Sequence, residues 1–230
     1  MAKGMRIFKK IFIGSQHDAA QKVEGSYVQQ LSYLRQVWND DSYGLERLMR
    51  LFLCLAQFIF PILLIREIFG RFGATYRKLA VELYNLFKLL FPILVLWQGY
   101  YRSPIVIGII IYLLLETMLH ILHLIFLTDV HSASVSYHRS ILLIFVHYVE
   151  VVLDFAVIYI GLDLLSETLT PLSAVYFSLV ANTTVGFGDI HARGPAGQIA
   201  VIFQLLVCVM FIILFINYFS SSINDDEEEE

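Results

Sequence analysis

Five stretches of this 230-residue chain are almost continuously apolar: residues 51–65, 83–97, 104–127, 141–162 and 200–219. Most are long enough to cross a hydrocarbon core of about 30 Å as helices. That constrains the fold more than any other feature, because backbone N–H and C=O groups at membrane depth must find partners within the protein. A hydrophobic content of 58% and a mean hydropathy of +0.69 agree, lying far above a soluble domain of this length. An all-α, polytopic membrane protein is expected. A sixth apolar run, 172–181, is too short to span. Thr170 can cap its first turn and Pro171 suits the first helical position, so a short re-entrant helix is expected from there to Asn182.

Directly after that helix comes Thr183-Thr184-Val185-Gly186-Phe187-Gly188-Asp189. If successive carbonyls of this strip face one axis, the backbone takes angles that a Cβ tolerates poorly; Gly186 and Gly188 supply them. Non-helical backbone is allowed at membrane depth only where protein or a water-lined cavity satisfies it. The seven residues resemble the potassium-channel filter sequence TVGYG or TVGFG followed by Asp. Residues 140–222 resemble that family's outer helix, pore helix, filter and inner helix. The resemblance implies a homotetramer in which carbonyls of Thr184, Val185, Gly186 and Phe187, with the Thr184 hydroxyl, replace the hydration shell of K⁺. Gly188 completes the strip, and Thr183, Asp189, Tyr176 and Phe177 would support it. Potassium is then the permeant ion and no cofactor is expected. Membrane lipids and three further copies are the implied partners, with no nucleic acid.

The chain departs from the family at several of these positions. Tyr176 and Phe177 stand where relatives often carry two tryptophans, and Val180 stands where many carry a carboxylate. Phe177 and Phe187 form a consistent apolar pair, while Tyr176 can donate to Asp189. The carbonyl ends of four pore helices, each with roughly half a negative charge, would face a central cation. Between Ile199 and Phe219 the inner helix has neither glycine nor proline, so bending there is disfavoured. Gating at the filter or by rigid tilting follows, with Cys208 at the position of the usual hinge glycine. Gln204 either lines the cavity or packs against a neighbour.

Ionisable residues form a second constellation. Glu116, His120 and His123 share one helix face, and His147, Glu150 and Asp154 share another. An antiparallel hairpin would set His123 opposite His147, His120 opposite Glu150, and Glu116 opposite Asp154. Three readings stay open: a structural ion-pair network, a proton sensor, or a divalent-metal site. No activated nucleophile or catalytic motif accompanies them, so an enzyme is not expected. His191, beyond the filter, is either a solvent-facing loop residue or a site of external proton effects.

The expected organisation is an amino-terminal segment 1–47, peripheral membrane helices 48–139, a pore domain 140–222 and an acidic tail 223–230. Val23, Tyr27, Leu31, Leu34 and Trp38 mark an amphipathic helix for packing, the membrane surface or a regulator. No helix carries the regularly spaced cations of a voltage sensor. Lys3, Arg6, Lys9 and Lys10 precede too short an apolar stretch for an export signal. Cys54 and Cys208 are expected as buried thiols. The family's orientation, with Asp189 outside, implies a cell-membrane protein whose carboxyl terminus and link 66–82 are cytoplasmic, and the basic residues Arg66, Arg71, Arg77 and Lys78 of that link agree with the positive-inside rule. Segment 51–65, interrupted by Gln57 and Pro61, is expected to be re-entrant or interfacial. The run Asp225 to Glu230 is expected as solvated disorder that raises local cation concentration at the intracellular mouth. A weakly selective monovalent cation channel and a transporter subunit are the alternatives.

Overall fold

A computed structural model describes residues 25–40, 43–127, 137–167 and 170–228, with the backbone alone for 137–139 and 219–228. Val23, the basic amino-terminal residues, the loop 128–136 and the last two residues of the acidic run lie outside the described residues. The chain divides into two compact units, Met1–Asn85 and Leu86–Glu230.

The first unit contains α1 (Ser26–Asn39), α2 (Gly44–Ala56), a 3₁₀ turn (Gln57–Ile59), α3 (Pro61–Gly70) and the start of α4 (Ala74–Gln98). The face α1 buries is not the expected apolar stripe: Ser26, Gln30 and Val37 are buried, while Leu31 and Trp38 are exposed. The reason is polar. The Gln30 amide donates to the Cys54 carbonyl at 3.1 Å, and the Ser26 N–H donates to Glu67 Oε2 at 2.6 Å, so hydrogen bonds fix which side faces α2 and α3. On α2, Leu53, Cys54 and Ala56 are buried and Leu45, Leu48, Phe52 and Leu55 are exposed.

α2 and α3 meet at a 66° bend, and only as a pair are they long and apolar enough to count as a broken span or re-entrant loop. Pro61 causes the break: Phe60 before it is extended at ψ 149°, as a residue preceding proline should be. The bend has the form of either a broken span or a re-entrant loop, where 51–65 was expected to be re-entrant or interfacial. The link 66–82, expected as a long connection, is mostly helical, since α3 persists to Gly70 and α4 begins at Ala74.

The second unit holds the rest of α4, a 3₁₀ turn (Tyr100–Arg102), α5 (Pro104–Phe126), α6 (Tyr137–Gly161), α7 (Pro171–Asn182) and α8 (Gly194–Glu228). Ala74–Gln98, Pro104–Phe126, Ser140–Gly161 and Gly194–Tyr218 are each long and apolar enough to cross a membrane, giving the expected all-α membrane architecture. Val151, Phe155 and Tyr159 of α6, Ala174 of α7, and Val207 and Phe211 of α8 form the core between them. α7 has the limits its sequence predicted. α8 does not: it starts at Gly194, ahead of the apolar run that begins at Ala200, and stays helical through Asp225 to Glu228, where disorder was expected. Extending an existing helix needs no new nucleus, and glutamate is a good helix former. Gly197 permits one close approach near the start of α8, where a Cβ would collide with the Leu164 carbonyl.

Candidate functional site

The site is built outward from α7. Thr170 Oγ1 accepts the Ser173 N–H at 3.2 Å and Pro171 follows it, so the first turn starts as expected. At the other end, all four terminal carbonyls have donors. Leu179 O accepts from Thr183 N at 2.9 Å, Val180 O from Val185 N at 3.2 Å, and Ala181 O from Thr184 N at 3.0 Å. Asn182 O accepts from Cys208 Sγ at 2.8 Å. Free carbonyl ends aimed at a cation are therefore not what the chain presents; the aligned dipoles of α7 remain.

From Thr183 to Asp189 every residue is exposed in the single chain, with Phe187 at 68% and Val185 at 55%. Thr184, Gly186 and Gly188 have φ of 59°, 58° and 82°, while Val185 and Phe187 lie outside that left-handed region. Every second residue thus reverses its twist, which keeps successive carbonyls from alternating sides as they do in a strand. Reading the sequence singled out the two glycines and missed Thr184, which adopts the same angle at a cost of about 1–2 kcal/mol. Nothing within 4 Å would meet a Cβ on Gly186 or Gly188, so backbone conformation rather than crowding within the chain requires glycine there.

Tyr176 donates to Asp189 Oδ2 at 2.9 Å, and its ring stacks on Phe187 with centroids 6.4 Å apart and an interplanar angle of 1°. The hydrogen bond to Asp189 raises the Tyr176 phenol above its ordinary value. Phe177 does not reach Phe187 in the chain. It is buried edge-on against Tyr159, 5.1 Å between centroids, because consecutive helical residues point about 100° apart. The return strand is pinned to 163–166: Ser166 N donates to His191 O at 2.9 Å, Arg193 N to Leu164 O at 2.7 Å, and Arg193 Nη1 to Asp163 at 2.7 Å. His191 itself is exposed, the loop position expected.

Gln204 is fully buried, so within the chain it packs instead of lining a cavity. Its Oε1 accepts from Tyr159 at 2.7 Å, and its Nε2 donates to Ser178 O and Ser178 Oγ, both at 2.9 Å. Cys208 and Cys54 are the expected buried free thiols. A cavity of about 370 Å³ lies beside Cys208, lined also by Tyr148, Thr183, Thr184 and Phe211.

The intramembrane polar residues gather around a cation that the sequence reading left out. Lys88 of α4 lies 3.2 Å from Glu150 and 3.7 Å from Glu116, and it also donates to Thr117. Glu150 further accepts from Thr117 at 2.8 Å and pairs with His147 at 2.9 Å. Lys88, Glu116, His123, His147, Glu150 and Asp154 are all buried. The hairpin register differs from the expected one by about a turn: Thr117 meets Glu150, and the His120 ring meets His147 at 5.5 Å. Side chains able to pair with Glu150 set this register, whereas the expectation rested on symmetry about the loop. The Glu116–Asp154 pairing is not formed; the charged neighbours acting on Asp154 are Glu150 and Lys88. Among the described residues no group of three His, Cys, Asp or Glu side chains is placed to hold a metal, so the metal reading finds no site here.

Residues 141–224 match the model of a family described as "Ion channel". No curated protein and no solved structure matches the chain.

Proposed function

We propose that this chain, whose residues 141–224 match an ion channel family, is one subunit of a homotetrameric, potassium-selective channel. Ions would pass through the strip Thr184 to Gly188. The observation that carries the reading is the alternation of positive φ at Thr184, Gly186 and Gly188 in a strip left exposed by its own chain. Such a backbone directs a column of carbonyls to one side, and exposed Val185 and Phe187 side chains call for cover that further copies supply. The exposed residues Ile202, Leu206, Val209, Ile213 and Ile216 along α8 support the same assembly, since they recur at helical spacing on a surface for neighbouring copies and lipid.

In this assembly Asp189 is at the outer mouth, held by Tyr176, and the carboxyl terminus and the basic residues Arg66, Arg71, Arg77 and Lys78 are cytoplasmic. Residues 48–139 supply peripheral helices with no voltage-sensing array. Filter gating is favoured, because α8 remains one helix through the region where a glycine hinge would bend. Purified protein in vesicles with opposing K⁺ and Na⁺ gradients tests the reading. Potassium flux well above sodium flux, from a particle of four chains, is expected. Equal fluxes point to a weakly selective channel, and coupled, saturable uptake to a transporter subunit; either result refutes the proposal.

A further inference from the structure

The inner helix and the pore helix are joined at two levels. Gln204 Nε2 reaches Ser178, and one turn on, Cys208 Sγ reaches the Asn182 carbonyl. Each link joins residues 26 positions apart, so α7 and α8 run in the same sense and the links are successive rungs. The upper rung has one possible polarity. Ser178 O can only accept, so the Gln204 amide nitrogen must face it and the amide oxygen must face the Tyr159 hydroxyl. Ser178 Oγ, which accepts from Gln204, passes its own proton to Val152 O at 2.6 Å. Gln204, Ser178 and Tyr159 are fully buried, so no water competes for these groups. The lower rung ends on Asn182, the last residue of α7, immediately before Thr183 and Thr184.

We infer that Gln204 and Cys208 are positioning residues for the filter: they fix the carbonyl end of α7 to α8, so that displacement of α8 is delivered to Thr183–Gly188 instead of being absorbed by a hinge. The inference rests on the channel reading but concerns these two side chains alone. A rung that fixes α7 favours one arrangement of the strip, and removing it redistributes the strip among others.

The test uses the full chain in lipid. Gln204→Leu removes the upper rung, and Cys208→Ala the lower. Cys208→Ser restores a donor at the lower rung, and Tyr159→Phe removes only the hydroxyl facing the Gln204 oxygen. In single-channel recordings the mean open time should shorten about tenfold in Gln204→Leu, equivalent to about 1.4 kcal/mol. It should shorten less in Cys208→Ala, because S–H donors are weak, and Cys208→Ser should regain the wild-type value. Independently of conduction, amide hydrogen exchange over residues 179–188 should quicken in Gln204→Leu and Cys208→Ala, while α5 is unchanged. If Gln204→Leu does not assemble, Tyr159→Phe and Cys208→Ala carry the same readouts. Wild-type open times and exchange in both variants overturn the inference. Wild-type protein without potassium selectivity, but with quickened exchange in the variants, overturns the channel reading and leaves the rungs standing.

Discussion

Lys88→Met is the sharpest perturbation of the membrane half of the molecule. The ammonium is 2% exposed and faces Glu150 at 3.2 Å and Glu116 at 3.7 Å. At an effective dielectric near 20, opposite charges at such a separation attract by about 4–5 kcal/mol. Methionine fills a similar volume without the charge, so packing is conserved while that attraction disappears. Relief of the lysine's own desolvation returns part of it, and a net loss of about 3 kcal/mol is expected, because Glu150 stays buried with Thr117 and His147 as its remaining partners. Denaturation of the purified protein in detergent, followed by helical circular dichroism and by retention of the oligomer, measures this. A second substitution, Glu150→Gln, in the Lys88→Met background should recover most of the loss, since it removes the uncompensated carboxylate. If Lys88→Met alone unfolds at the wild-type midpoint, the ion cluster contributes nothing to stability. If the double variant is less stable than Lys88→Met, the destabilisation does not come from an orphaned charge.

Three further outcomes follow. Gly186→Ala or Gly188→Ala forces a Cβ onto a residue at φ 58° or 82°, a strain of about 1–2 kcal/mol in each subunit; potassium flux should be lost while the oligomer persists on gel filtration. Tyr176 donates its phenol proton to Asp189, and that bond raises its folded pKa. Its contribution is therefore present at neutral pH and lost only as pH rises through the folded value, above about 10. External alkalinisation should shorten openings in wild-type protein, and Tyr176→Phe should show short openings at every pH. Lys88→Met and Gln204→Leu combined should destabilise by the sum of the single effects within about 0.5 kcal/mol, as independent sites do; a larger discrepancy in thermal unfolding would show that the two polar groups act as one.

The segment from Thr170 to Asp189 was legible because its information is local. Thr170 and Pro171 set the start of α7, the glycines mark the strip, and Tyr176, standing where the resembled family often carries a tryptophan, reaches Asp189. What stayed hidden depends on long-range meetings. Lys88 looked like an isolated charge in an apolar run; its partners are on α5 and α6, 28 or more residues away. Gln204 could be weighed only as cavity-lining or packing, since Ser178 and Tyr159 give no sign in the sequence that they end opposite it. The α1 stripe misled for a related reason: period alone ranked Leu31 and Trp38 above Gln30, yet a backbone carbonyl on α2 recruits the glutamine. Thr184 shows a further limit, because residue type announces a left-handed backbone only when the residue is glycine.

The geometry of α6 explains how one helix carries both polar systems without mixing them. With about 3.6 residues per turn, His147, Glu150 and Asp154 fall on one side, and Val152 and Tyr159 fall nearly opposite. The first side meets Lys88 and Thr117, and the second meets Ser178 and Gln204. A helix polar on two opposed sides has little lipid-facing stripe of its own, and α6 is accordingly the most buried of the four span-length helices, 56% of its apolar window being covered. Asp154 is the exception to this pairing: it is 1% exposed, and neither carboxyl oxygen has a hydrogen-bond partner among the described residues. Burial of so polar a group without a partner is costly, and the charged neighbours acting on it are Glu150, one turn away on α6, and Lys88 of α4.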